Sequence, residues 1–204
     1  MTSSYKTSDV SASGSAGRRN SDTAYGSISR LLHWSIAALI IANFIVGLVS
    51  GSYDRTDVAR EPIVFIHKSL GLAILALVLV RIAWILRSPG PALPSFLKRW
   101  EARLAWVTHK LLYLLMLAIP ITGIMLSQSA GREVSFFGFF ELPQIFPFDP
   151  SVPAGERPLV IAGAILHKVV LKWVLPMAVL AHLAGVIKHH LIDRHPQFLA
   201  RMWR

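Results

Sequence analysis

Apolar residues gather into four long runs, and between them the chain turns polar, charged or rich in proline and glycine. The runs cover 31–51, 66–86, 105–127 and 160–187, and each reaches the roughly 20 residues an α-helix needs to cross a bilayer. None contains an Asp or Glu. A helix satisfies its backbone polar groups internally, which hydrocarbon demands of any spanning segment. The first run, RLLHWSIAALIIANFIVGLVSG, breaks at Gly51–Ser52. Pro62, in the sequence Arg60-Glu61-Pro62, suits the first turn of a second helix. That helix continues to Arg87, where Ser88-Pro89-Gly90-Pro91-Ala92-Leu93-Pro94 stops it. A short amphipathic piece, SFLKRWEARLAW, carries Trp100 and Trp106 beside basic residues, as an interfacial segment does. Pro120 predicts a kink in the third helix. The longest loop, 128–159, holds SFFGFFELPQIFPFDP. So many aromatic side chains predict a loop that lies on the membrane surface or folds over the mouth of the bundle. Pro158 opens the fourth helix, which runs to about His189.

The predicted fold class is therefore an all-α integral membrane protein, a four-transmembrane-helix bundle. No internal repeat is detectable, although the second and fourth helices share a local His-Lys start. Residues 1–24 are rich in Ser, Thr and Gly without an apolar core, so they read as a disordered tail rather than a signal peptide. The first helix then serves as an uncleaved insertion signal. Residues 25–195 form the transmembrane domain, and 196–204 a basic C-terminal tail.

Composition agrees: of 204 residues, 53% are hydrophobic and only 16% charged, outside the usual range for a soluble domain. The formal net charge of +10 invites a nucleic-acid reading, but its distribution decides otherwise. Lys6, Arg18, Arg19 and Arg30 precede the first helix, Arg87, Lys98, Arg99 and Arg103 join the second to the third, and Lys188, Arg194, Arg201 and Arg204 end the chain. Loop 52–65 opposes Asp54, Asp57 and Glu61 to Arg55 and Arg60. Loop 128–159 opposes Glu133, Glu141, Asp149 and Glu156 to Arg132 and Arg157. The basic segments share one side, so the positive-inside rule places both termini in the cytoplasm. Topology and contact with membrane lipid account for the charge, and no nucleic-acid partner is expected. The absence of cysteine excludes disulfides, thiolate-bound zinc, iron–sulfur clusters and haem attached through C-x-x-C-H.

Four histidines, His33, His67, His167 and His182, lie inside the apolar runs, where an ionisable side chain is costly and asks for a function. With helices alternating in direction, His33 and His182 fall near the cytoplasmic face, and His67 and His167 near the outer face. The fourth helix separates His167 from His182 by 15 residues, about 22 Å at ~1.5 Å per residue. That suits two stacked haems and is too long for one metal ion. The predicted axial ligands to haem iron are His33 and His182 for an inner b haem, and His67 and His167 for an outer one. Two neutral imidazoles close the coordination shell and favour electron transfer. Gly71, four residues after His67, and Gly163, four before His167, are expected to let the porphyrin approach the backbone.

A lone histidine in a span is often an interhelical hydrogen-bonding residue, but four matched in depth argue for haem. Proton relays and metal transporters would also use intramembrane histidine, together with carboxylates that these spans lack. His109 is a candidate to replace His33 as ligand or to meet a propionate. His189, seven residues past His182, is a candidate for a propionate or a quinone carbonyl. Arg81 is a candidate propionate partner, and Lys68 and Lys168 either share that role or snorkel.

The stretches RLLHW at 30–34, HKSLGLAILALVLVRIAW at 67–84, THKLLYLLMLAIPITGIMLSQSAGREVSFFG at 108–138 and LHKVVLKWVLPMAVLAHLAGVIKHHLIDR at 166–194 together resemble the bacterial cytochrome b561 family. The resemblance implies an inner-membrane dihaem protein with the same four ligands. It also implies electron transfer to a quinone, with ubiquinone as acceptor, and in some members superoxide oxidation outside the membrane. His189 looks like the family histidine near a quinone site. The alternative is a haem-bearing anchor and electron conduit for a separate dehydrogenase or hydrogenase partner subunit. The resemblance further implies a helix-4 histidine interval one residue shorter than the 15 here. One extra residue turns a ligand by about 100°, and a π-bulge or kink at Pro176 would absorb it.

Overall fold

The computed structural model describes residues 17–94, 96–195 and 197–203, apart from the side chains of Leu171, Gln197 and Phe198. Residues 1–16 of the expected tail and Arg204 lie outside them. Four long helical segments dominate: α1 (Ser27–Ser52), α2 (Arg60–Arg87), α3 (Arg99–Ser129) and a fourth that runs over Pro158–Ile192. The fourth consists of α4 (Pro158–Val169), a π-helical turn (Val170–Val174), α5 (Leu175–Ile187) and a second π turn (Lys188–Ile192). A short α6 (Gln197–Trp203) follows. All four segments are long and apolar enough to cross a membrane.

Each helix outruns its apolar window by a polar turn or more. The largest extension is in α3. Glu101 accepts a hydrogen bond from the Lys98 N–H (2.9 Å), a start signal that folds the amphipathic SFLKRWEARLAW stretch from Arg99 onward into the span itself. Pro62 sits in the first turn of α2 and Pro158 opens α4, where a missing N–H costs nothing. α3 is continuous through Pro120.

Helix α1 packs chiefly on α2, and α3 on α4, α2 and α5. Two small apolar clusters fill the middle of the bundle: Ile36, Ile74 and Val78 in one, Leu115, Leu175 and Ala178 in the other, with Ile40 touching both. Outside this core the helices stay apolar. Leu31, Ile41, Leu48, Leu79, Leu114, Ile165 and Leu180 are all exposed, as lipid-facing positions are. At Gly163 α4 comes close to α3: a Cβ there would lie 3.0 Å from the N, Cα and Cβ of Leu126. Its absent side chain serves helix packing, not a porphyrin face as the sequence suggested. Gly71 faces only the Asn43 amide, 3.8 Å from a built Cβ.

The described residues before α1 meet α6 at one end of the bundle, the terminal end, where the Tyr25 N–H bonds to the Arg201 carbonyl (3.4 Å). Asn20, placed by the sequence in a loose tail, is fastened there. Its Oδ1 accepts from the Gly26 N–H (2.9 Å) and the Ser29 hydroxyl (2.7 Å), and its Nδ2 donates to the Ser88 carbonyl (2.6 Å). Residues 196–204, read as a tail, include α6, which docks on the same end. The Trp34 indole donates to the Met202 carbonyl (2.9 Å) and packs edge-on against Trp203, and Arg201 donates to the Ala92 carbonyl (3.0 Å).

At the opposite, loop end, residues 130–157 fold over the bundle. A hairpin pairs β1 (Ser135–Phe136) with β2 (Phe140–Glu141). Its turn has positive φ at both Phe137 (47°) and Gly138 (77°), the geometry of a I′ turn. Ser69 ties the hairpin to α2, donating to the Ser135 carbonyl (3.1 Å) and accepting from the Phe137 N–H (3.0 Å). Gln128 holds the rest: its Nε2 donates to the Pro143 carbonyl (2.8 Å), and its Oε1 accepts from the Ile145 (2.9 Å) and Phe146 (3.2 Å) N–H groups.

Candidate functional site

The four intramembrane histidines come together in two pairs. At the loop end the rings of His67 and His167 have centroids 6.1 Å apart, crossing at 81°. At the terminal end His33 and His182 are 6.3 Å apart, crossing at 61°. Each pair joins one histidine from the first half of the chain to one from the fourth span. Two imidazoles bound to one metal from opposite sides at about 2 Å, each nitrogen about 1 Å from its ring centre, would have centres about 6 Å apart. Both pairs fit that spacing. Among the described residues no three His, Cys, Asp or Glu gather as a metal cluster. Imidazole pairs of this kind suit a metal whose remaining positions are filled by a macrocycle.

The fourth span reaches both partners because of its first π turn. The Leu175 N–H bonds to the Val170 carbonyl, five residues back, so one residue is taken up without advancing the helix by 100°. Pro176, just beyond, has no N–H to continue the α pattern. The 15-residue interval thus acquires the angular offset of a 14-residue one.

The loop-end rings are held through their Nδ1 atoms. His67 Nδ1 pairs with the Asn43 carbonyl (3.2 Å) and His167 Nδ1 with the Ile119 carbonyl (2.9 Å). A carbonyl can only accept, so in both rings Nδ1 carries the proton and Nε2 keeps its lone pair for a metal. Thr122 stands by, its hydroxyl 3.4 Å from His167 Nδ1 and donating to the Ala118 and Ile119 carbonyls. The rings of His33 and His182 make no hydrogen bond among the described residues.

His109 lies edge-on to His182 at 5.2 Å and bonds to its own helix at the Ala105 carbonyl (2.6 Å). It is exposed, and the shorter spacing suits ring contact better than a shared metal. Arg81 donates through Nε to the Tyr113 hydroxyl (2.9 Å) and through a terminal nitrogen to the Ser29 carbonyl (3.2 Å), one turn before His33. His189 is buried at the terminal end, its Nδ1 2.7 Å from an Asp193 carboxylate oxygen. Lys188 bridges Glu101 (2.8 Å) and Asp193 (2.7 Å), so α3 and the second π turn are joined by charge. Hydrogen bonds from Lys188 and then His189 hold the Asp193 carboxyl below its usual range. Lys68 donates to the Glu133 carbonyl in the loop-end cover (2.6 Å), while Lys168 is exposed.

Several residues escaped the sequence reading: Asn43, Gly47, Thr122 and Gly123 around the loop-end rings, and Tyr113 beneath Arg81. Asn43 was visible as an amide in a span. The glycines gave no signal without knowing which helix faces each histidine.

An apolar four-helix bundle that presents facing imidazoles at two depths has the frame of a membrane b-type cytochrome. The family follows from comparison. Residues 24–204 match the model of prokaryotic cytochrome b561, and the chain belongs to that family. It is 33% identical over 178 residues to cytochrome b561 homolog 2 of Escherichia coli (strain K12), covering 86% of this chain and 89% of that protein. Over 108 residues it is 33% identical to the probable superoxide oxidase CybB of Yersinia pestis, covering 52% and 60% of the two. It is also 32% identical over 109 residues to cytochrome b562 of Cereibacter sphaeroides, covering 50% and 66%. Membership makes the protein a haem-b electron carrier of the bacterial inner membrane.

Proposed function

We propose that the protein holds two b haems and passes single electrons through them between a donor outside the membrane and the quinone pool. The observation that carries this is the pair of imidazole spacings, 6.1 and 6.3 Å, at opposite ends of one bundle. His67 and His167 would ligate one haem, His33 and His182 the other. When bound, the haem supplies one-electron chemistry at a closed coordination shell. The protein fixes the two loop-end rings through main-chain carbonyls, buries the middle of the bundle in Ile36, Ile40, Ile74, Val78 and Leu115, and covers the loop end with residues 130–157. With the terminal end in the cytoplasm, the distribution of basic residues obeys the positive-inside rule.

On this reading Arg81, which bonds to Ser29 and Tyr113, would meet a haem propionate at the terminal end, and the His189–Asp193 pair would meet a quinone carbonyl. The name of the Yersinia relative makes superoxide the first donor to test. Two superoxide ions would each give one electron and leave as O2, and one ubiquinone would take both electrons and two protons to form the quinol.

The experiment is a dithionite-reduced minus oxidised spectrum of the purified protein with pyridine haemochrome quantitation. The expected result is two b haems per chain, falling to one in His67→Ala. Folded protein without haem would overturn the proposal.

A further inference from the structure

The two histidine pairs are built differently, and the difference lies in the glycines opposite them. In an α-helix the side chain at position i+4 leans back over the carbonyl of position i, and so screens it from a neighbouring helix. His67 reaches the Asn43 carbonyl, and four residues on from Asn43 is Gly47. A Cβ on Gly47 would lie 3.0 Å from His67 Cε1 and 3.3 Å from Nδ1. His167 reaches the Ile119 carbonyl, and four residues on from Ile119 is Gly123. A Cβ on Gly123 would lie 3.1 Å from His167 Cε1 and 3.4 Å from Nδ1. The same device occurs twice, on α1 and α3, for the two histidines of one pair.

The terminal-end pair lacks it. The rings of His33 and His182 make no hydrogen bond among the described residues, and Gly185, the glycine nearest His182 in the chain, has nothing within 4 Å of a built Cβ. Instead a cation stands by this pair: Arg81 donates to the Ser29 carbonyl (3.2 Å), one turn before His33 on α1.

We infer that Gly47 and Gly123 are positioning residues, notches that let the loop-end imidazoles bond to main-chain carbonyls, and that they make the loop-end haem the lower-potential of the two. The inference rests on the dihaem reading above. A carbonyl accepting from Nδ1–H raises the basicity of the ligand at Nε2, which favours the oxidised, more positive iron. The guanidinium at the terminal end favours the reduced iron there, because the added electron lowers the local positive charge. Both effects order the potentials the same way, so electrons run downhill from the loop end to the terminal end.

The test is an optical redox titration of the full-length protein with its haem. His67→Ala retains only the terminal-end haem and thereby identifies its wave in the unsubstituted protein. The expected result is that this wave is the higher of two. In Gly47→Ala and Gly123→Ala the lower wave should move upward, or the loop-end haem should be lost, with the higher wave unmoved. Gly51→Ala, where a Cβ meets nothing within 4 Å, should move neither. Two haems in the reverse order overturn the inference and leave the dihaem reading standing. So does either notch variant that keeps both haems at unchanged potentials, or that shifts the terminal-end haem alone. If the notch variants do not fold, the order of the two waves in the unsubstituted protein still decides. Absence of haem overturns both readings.

Discussion

Replacing Gln128 by alanine should release the loop-end cover while leaving the bundle folded. Gln128 is only 1% exposed at the end of α3, and its amide makes three hydrogen bonds to main-chain groups of residues 143–146. At about 1 kcal/mol net per bond, their loss amounts to about 3 kcal/mol, and to more if a freed N–H stays buried. Because the bonds join the loop to one helix end, that energy weakens local closure and not helix packing. A tenfold change in opening corresponds to about 1.4 kcal/mol, so protection of the Ile145 and Phe146 amides against hydrogen exchange should fall roughly 100-fold. The assay is exchange read by mass spectrometry in detergent, with protection in the α1 and α2 core as the internal control. Gln128→Glu keeps acceptors for the two amides but sets an oxygen against the Pro143 carbonyl, and should fall between alanine and wild type. Unchanged protection at Ile145 and Phe146 in Gln128→Ala would refute the anchoring role.

Two further outcomes follow from particular contacts. Gly163→Ala drives a methyl group against the Leu126 backbone and should cost about 1–3 kcal/mol, read as a lower thermal midpoint in detergent, whereas Gly155→Ala, open within 4 Å, should leave it unchanged. Lys188 and His189 hold the Asp193 carboxyl low, so its contribution is complete above an ordinary aspartate pKa of about 3.9 and is lost as pH falls through the lowered value. Amide exchange over 193–195, corrected for intrinsic rates, should therefore report constant closure from neutrality to about pH 4 and opening below. Asp193→Asn should weaken closure at neutral pH and remove the acidic step.

What was legible in the chain is what depends on length and sign. Four apolar runs give four helices because hydrocarbon admits little else, and proline at 62 and 158 marks two of their starts. The helix ends were harder to read, since α3 begins at a polar cap, Lys98–Glu101, that hydrophobicity does not register. The pairing of His33 with His182 and His67 with His167 followed from depth, and the structure brings those rings together. Cross-helix register was not legible. It decides that Gly163 meets Leu126 instead of open space, and that Gly47 and Gly123 meet the two loop-end histidines. The fastening of Asn20 and of α6 was hidden for another reason: each leans in part on a main-chain carbonyl far away in sequence, Ser88 for Asn20 and Ala92 for Arg201, which every residue type offers equally.

The π turn over Val170–Val174 also shapes how the fourth span can change through descent. It stores one residue, so a single-codon deletion within it would restore ordinary α-helix and leave His167 and His182 aimed at the same partners. The same deletion between Pro176 and His182 would swing one ring by about 100° and part it from its mate. Length variation in this helix is therefore channelled to one turn, and lineages carrying 14 or 15 residues between these histidines can share one arrangement of side chains.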